Sequence, residues 1–314
     1  MRGEKMQREM EEQPAVLAAG YPRYREALRG LEGRRFSTVV LAARGSSDHA
    51  ALYARYLLEI RLGIPVSLAA PSVVTRYGRT IRYPENTLMV GISQSGAAPD
   101  VAELLTAARA AGVVTVGVTN TEGSRLATVT EHDVLLGAGP ETSVAATKTY
   151  STSLLAVRAL VDALAESTDA PALPDDAWVG RARDAAAEVA GAVVRCTPLF
   201  ALGRGYAYAT ANEQALKLME CALLSCKAYS TADFEHGPKA LAGAGSAAIA
   251  FGGSHEGLAE QGCEILVAPE SGAPEEDRPF WDAIFAQWIA LHAARARGLD
   301  PDVPRHLKKV TETR

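Results

Sequence analysis

Glu213, Lys217 and Glu220 fall at i, i+4 and i+7 in "NEQALKLME" (212–220), so a helix would place all three on one face. On an exposed helix such a Glu–Lys pair is an ordinary surface salt bridge worth about 0.2–0.5 kcal/mol. Here Ala215, Leu216 and Leu218 mark a packed helix, and the "GRG" turn upstream follows an apolar run. Three charges on an inner face need a purpose, and proton transfer is one. A second chemistry is offered by "RGSS" (44–47) and "SQSG" (93–96). Each follows a small apolar run and precedes a stretch with helical spacing. Gly45, Ser46 and Ser47 in one, and Ser93, Gln94 and Ser95 in the other, bring hydroxyls and close backbone to a helix start, where bare N–H groups and the dipole favour an anion. Each serine could equally be an N-cap. Two such turns on one sheet favour a phosphate cradle. Neither the GxxxxGK[ST] nor the GxGxxG spacing is present, so a nucleotide is not indicated.

The elements that must position these residues follow from the hydrophobic pattern. Strands are expected at 36–44, 64–70, 87–93, 113–119 and 132–139, with helices at 47–63, 98–112 and 147–166. The strands lack polar alternation, as in a parallel sheet covered on both faces. Residues 167–176, with Pro171 and Pro174, read as a linker. The pattern then restarts with helices near 177–194, 210–224 and 280–298 and strands at 197–203, 246–253 and 263–269. The expected fold is α/β, with one architecture used twice and each copy a mainly parallel sheet in a three-layer αβα arrangement. The expected division is an N-terminal helical arm (1–30), a first domain (31–166) carrying the cradle, a second, shortened domain (177–303) and a C-terminal tail (304–314).

Composition excludes several classes. A chain of 314 residues with 48% hydrophobic and 22% charged residues is a globular protein with full cores. A net charge of −5 argues against a general nucleic-acid binder. No apolar run reaches the length of about 20 residues needed to span a bilayer, and the charged start "MRGEKMQREMEEQ" is not a signal peptide. Cys196, Cys221, Cys226 and Cys263 form no CxxC pair, and neither they nor the six histidines fall at zinc-ligand spacing. Reduced, mostly buried thiols, no metal and a cytoplasmic location are the expectations.

Beyond these patterns, "GSS" and "SQSG" on strand ends resemble the sugar isomerase (SIS) domain. From about residue 35 onward the chain is similar to the isomerase half of glucosamine-6-phosphate synthase. "GPETSVAATKT" (139–149), "NEQALKLME", "EHGP" (235–238) and "PRHLKKVTE" (304–312) support this in order. The glutaminase half has no counterpart here. "ARGSSDHA", "SVAATK" and "HLKKVTET" look most like stand-alone glucosamine-6-phosphate deaminases of this superfamily. The resemblance implies two SIS-type domains and no cofactor. It gives Ser47, Ser93, Gln94 and Ser95 to the phosphate, with Gly45 and Ser46 beside them, and Val144 and Ala145 to the substrate loop. It makes Glu220 the proton-transfer carboxylate and His236 a ring-opening group lent by the partner of a homodimer. Lys309 becomes the lysine that meets the open-chain carbonyl, with Lys217 and Glu213 completing the network. Without it, His236 is an ordinary loop histidine and Lys309 part of a solvated basic tail. Three positions depart from the synthase pattern: Arg44 stands for a cysteine, Ala98 for a threonine and Ala146 for a serine.

The expected reaction is deamination of glucosamine 6-phosphate to fructose 6-phosphate and ammonia. The alternatives are a fructosamine-6-phosphate deglycase and a non-catalytic sugar-phosphate regulator. A regulator would not need Glu220, His236 and Lys309, and residues 1–30 leave no room for a helix-turn-helix. Nucleic acid and membrane are not expected partners.

Overall fold

The computed structural model describes residues 1–253 and 255–309. It is α/β, with two parallel sheets flanked by helices. The chain divides into two compact units. Residues 15–140 and 148–171 form the five-stranded unit, and residues 1–14, 141–147 and 172–309 the four-stranded unit. The N-terminal segment is therefore not one arm. Helix Glu4–Glu11 belongs to the four-stranded unit, and helix Gln13–Ala27 runs mostly in the other. The linker changes unit after Pro171. Its next residue, Ala172, is tied into the four-stranded unit by Asp277 and by the indole N–H of Trp281.

In the five-stranded unit, β1 (Thr38–Ala42), β2 (Val66–Leu68), β3 (Thr87–Ile92), β4 (Val114–Thr119) and β5 (His132–Leu135) take the order β2-β1-β3-β4-β5, all parallel. The chain winds one way from β1 to β2 and the other way from β3 to β5. Right-handed crossovers therefore put helix Ser46–Leu62 on one face and helix Pro99–Ala110 on the other. Every β3 residue is buried, which explains its unbroken apolar run.

In the four-stranded unit, β6 (Leu199–Gly203), β7 (Cys226–Ser230), β8 (Ala247–Phe251) and β9 (Glu264–Val267) take the parallel order β7-β6-β8-β9. The second half thus has one strand more than the sequence pattern predicts. β7, "CKAYS", pairs only with β6, and of its residues only Cys226 is buried, so it carries no apolar run to read. Alternate side chains of β6 enter separate cores. Leu199 and Ala201 join the large cluster with helices Asp176–Arg195, Ala207–Ala222 and Arg278–Ala296, while Phe200 and Leu202 meet Phe234 and Leu258 on the other face. On that second face the helices Thr231–Phe234 and Glu256–Ala259 have four residues each, so the layer is thin.

One turn depends on glycine twice over. Gly96 has φ +60°, and a Cβ there would lie 2.1 Å from Ser124 Oγ and 2.8 Å from Thr119 Oγ1. Gly96→Ala is therefore expected to destabilise the five-stranded unit by about 2 kcal/mol or more. A urea midpoint equal to that of the unmutated protein would show that this turn can relax.

Candidate active site

The residues of the "RGSS" and "SQSG" turns come together at the carboxyl edge of the five-stranded sheet. β1 and β3 are neighbours, with Ala42 opposite Gly91, so "RGSS" and "SQSG" leave adjacent strand ends where the winding direction reverses. In open α/β sheets that is where ligands bind. The structure also decides whether the serines are caps. The residue capping helix Ser46–Leu62 is Gly45, at φ 55° and ψ −133°, and the one capping helix Pro99–Ala110 is Ala98; neither makes a side-chain cap bond. Ser46 and Ser47 lie inside the first turn, and Ser93, Gln94 and Ser95 precede the second helix. The cap positions of both helices are thus held by residues other than serine, and both helix starts lie at this edge, where their dipoles favour an anion.

The second turn is stitched to β4. Ser93 N–H donates to Val118 O at 3.0 Å, Asn120 N–H to Gln94 O at 2.9 Å, and Leu126 N–H to Gly96 O at 3.0 Å. Ser95 Oγ accepts from Ala97 N–H at 3.3 Å. Two residues join the two turns. Arg44 Nε donates to Asp100 Oδ2 at 2.9 Å, and Asp100 is 3% exposed and also accepts from Val101 N–H. Sequence reading passed over Asp100, because an acid at the second position of a helix is so common.

In the four-stranded unit, Glu213, Lys217 and Glu220 share the inner face of helix Ala207–Ala222. Glu213 and Lys217 are fully buried. The Lys217 ammonium is 3.4 Å from Glu213 Oε1 and donates to Glu220 Oε2. Burial acts to lower the Lys217 pKa, but the two carboxylates outweigh it and raise it above the ordinary lysine value. Lys217 is thus a fixed cation, and of the two carboxylates beside it Glu220 is the one that reaches solvent, a quarter exposed. Burial pushes the neighbouring Cys221 thiol up to about 12, so it is no nucleophile. All four cysteines are buried.

Lys309 meets a different carboxylate. Its ammonium is 2.7 Å from Glu141 Oε2, and Glu141 Oε1 accepts from Thr147 N–H at 2.9 Å. Val144 and Ala146 are half-buried in the loop between. Ala145 packs its methyl into the large core, and its carbonyl lies 2.9 Å from the Ser143 hydroxyl oxygen. His236 is exposed, between helix Thr231–Phe234 and the 3-10 turn Pro238–Leu241, so its loop is helical in part. Buried Phe234 and an ion pair of Glu235 with Lys239 at 2.8 Å anchor it. Of the expected tail, residues 310–314 lie outside the described residues.

Residues 34–163 match the SIS domain family model. A candidate phosphosugar isomerase from Silicibacter pomeroyi is 30% identical, with a TM-score of 0.80 over 95% of this chain and 99% of that one. The chain belongs to the SIS domain family. A glutamine–fructose-6-phosphate aminotransferase (isomerizing) from Symbiobacterium thermophilum is 32% identical over 97% of this chain, which spans 58% of that protein's length. The glucosamine-6-phosphate deaminase of Thermotoga maritima shares the fold, with a TM-score of 0.81 at 24% identity over 98% of this chain and 100% of that one. The matched segment contains both the "RGSS" and the "SQSG" turn. Among the described residues no helix is long and apolar enough to cross a membrane.

A further titratable group lies on helix Arg278–Ala296, which packs along the helix of Lys217. Asp282 is 1% exposed, and neither carboxyl oxygen has a hydrogen-bond partner among the described residues. Burial pushes its pKa up to about 7, with Arg278 opposing and Glu270 adding. An acid whose folded pKa is raised holds its proton more tightly in the folded state. Its contribution to stability is complete below the unfolded value of about 4 and is lost as pH rises through about 7. In Asp282→Asn that pH dependence should disappear. Urea midpoints at about pH 5 and about pH 8 should converge for the variant relative to the unmutated protein. Parallel pH profiles would mean that Asp282 does not titrate there.

Proposed function

We propose that the chain is an amino-sugar-phosphate isomerase that deaminates its substrate, converting glucosamine 6-phosphate and water to fructose 6-phosphate and ammonia. The observation that carries this is the pair of helix starts without side-chain caps on adjacent strand ends, ringed by Ser46, Ser47, Ser93 and Ser95. The buried acid–base group Glu213–Lys217–Glu220 adds to it. The names of the aminotransferase and deaminase relatives agree with an amino-sugar phosphate. In this reading the four-stranded unit is a second, shortened SIS-type domain. The reaction needs no metal or redox group.

The steps distribute as follows. Backbone N–H groups at Gly45 and Ser46, the Ser47, Ser93 and Ser95 hydroxyls and Gln94 hold the phosphate, while Val144 and Ala145 line the sugar. His236, lent by the partner of a homodimer, opens the ring. Glu220 takes the proton from C2 and returns it to C1, which leaves an imine at C2. Water adds there, ammonia leaves, and the ketose remains. Lys309 meets the open-chain carbonyl. Lys217 keeps Glu220 in place. A deglycase would use the same cradle and base on a bulkier amine.

The test is a panel of amino-sugar and fructosamine phosphates, assayed for released ammonia or amine and for ketose 6-phosphate. Glucosamine 6-phosphate should lead it. Glu220→Gln should lower turnover by a factor on the order of 10² with affinity kept, and solvent deuterium should no longer enter C1. Equal turnover of unphosphorylated glucosamine would remove the cradle from the argument, and normal exchange in the variant would move the proton transfer to Glu213. The shared histidine has its own test. Inactive His236→Ala and inactive Glu220→Gln, mixed and allowed to exchange subunits, should regain about one quarter of full activity, since half the dimers are mixed and each has one intact site. No recovery after proven exchange would place His236 in its own subunit's chemistry or outside it.

A further inference from the structure

Glu9, on helix Glu4–Glu11, is 2% exposed and has five N–H and O–H groups of one loop of its own unit within hydrogen-bond reach. Its Oε1 accepts from Thr142 N–H, from Ser143 N–H at 3.1 Å and from the Thr142 hydroxyl at 3.2 Å. Its Oε2 accepts from the Ser143 hydroxyl and lies 3.3 Å from the Thr147 hydroxyl. That last hydroxyl is also 2.9 Å from Glu141 Oε1, and Glu141 holds Lys309 through its other oxygen. A continuous polar path therefore runs from Glu9 through Thr147 and Glu141 to the Lys309 ammonium.

The helix that carries Glu9 is held at both ends of this path. Met6 and Met10, three residues before and one after, pack in the large core. The segment leading to Lys309 is bound to the start of the same helix: Asp300 accepts from Gly3 N–H at 2.9 Å, and Asp302 from Lys5 N–H at 2.9 Å and Met6 N–H at 3.0 Å. One short helix thus fastens both the 141–147 loop and the approach to Lys309. The loop lies between regular elements, so its buried N–H groups have no ladder to join, and an ionised carboxylate supplies acceptors only.

We propose that Glu9 is a positioning residue, fixing the 141–147 loop and, through Thr147 and Glu141, the ammonium of Lys309. This rests on the reading above that the loop and Lys309 serve the substrate. Glu9→Ala leaves the Thr142 and Ser143 N–H groups and the Thr142 hydroxyl without this acceptor. Glu9→Gln is milder, because its carbonyl oxygen can still take the backbone N–H groups at the Oε1 position, while its amide faces hydroxyls that can turn and accept.

The full chain and its Glu9→Ala, Glu9→Gln and Thr147→Val variants are compared by amide hydrogen exchange over 141–147, acetylation of Lys309 by limiting acetic anhydride, and turnover of glucosamine 6-phosphate. In Glu9→Ala, exchange over the loop should speed up about tenfold or more. Lys309 should label faster, and kcat should fall by about ten- to a hundredfold with a smaller change in KM. Glu9→Gln should recover most of each loss. Thr147→Val, which cuts the path but leaves the bonds from Glu9 to Thr142 and Ser143, should expose Lys309 with little change in exchange at 142–143; it carries the test if Glu9→Ala does not fold. Unchanged loop exchange and Lys309 labelling in the folded variants overturn the proposal, whatever the activity. If those two readouts shift while the unmutated protein ignores every amino-sugar phosphate, the positioning role stands and the assigned reaction falls.

Discussion

Parallel pairing fixes where chemistry can occur in this protein. When all strands of a sheet run one way, every strand-to-helix turn emerges at the same edge, and each helix there begins with N–H groups that no preceding turn can satisfy. The five-stranded unit places two such beginnings on neighbouring strands and then gives neither a side-chain cap, since Gly45 and Ala98 occupy the cap positions. The glycines follow from that geometry. Gly45 is needed for its backbone angles alone, because nothing lies within 4 Å of a Cβ there, whereas Gly96 is needed for angles and for space.

The four-stranded unit reaches a site by another route, through burial of charge. A lysine deep in an α/β core is costly unless paired, and breaking such a pair costs about 3–5 kcal/mol. Lys217 is held because Glu213 and Glu220 lie one helical turn before and after it. The helix tolerates this because its other residues, Ala211, Ala215, Leu218 and Ala222 among them, pack in the large cluster. The packing that makes the helix stable also turns Lys217 and Glu213 away from water. The same economy of partners recurs at Glu141, whose two oxygens divide between a loop threonine and Lys309.

Most of this was legible before any coordinates, and the exceptions have physical causes. The inner strands β1, β3 and β4 of the first sheet announce themselves, because burial forces apolar runs such as "TLMVGI", while the edge strands β2 and β5 are read from the short apolar stretches "IPVSLAA" and "HDVLLGAG" although β2 buries no residue and β5 only Val134. β7 stays hidden because "CKAYS", at the sheet's edge, holds no apolar run. The face shared by Glu213, Lys217 and Glu220 follows from helical spacing alone, but their full burial does not. Charged residues at 1–14 look like a solvated arm, since a pattern of charges cannot show that Glu9 turns inward while Glu4 and Lys5 stay outside. Asp100 and Asp282 are invisible for a similar reason. Their significance lies in what surrounds them, and a local window of sequence holds only what adjoins them.

Arg44 and Ala98 look like losses when set against the synthase pattern, but together they make local sense. Ala98 removes a hydroxyl from a helix start, and Asp100, two residues on, brings a buried negative charge close to a turn that is meant to favour anions. Left alone, that carboxylate would oppose a phosphate, since like charges in a partly desolvated setting repel strongly. The Arg44 guanidinium, supplied by the end of β1, pairs with it at 2.9 Å while keeping half its surface exposed. The pair therefore cancels the opposing charge and ties the first turn to the helix that follows the second. A neutral cysteine at position 44 could do neither. The presence of arginine there and the absence of a hydroxyl at 98 are thus two parts of one electrostatic arrangement, in which an arginine at the end of one turn neutralises a buried acid beside the other.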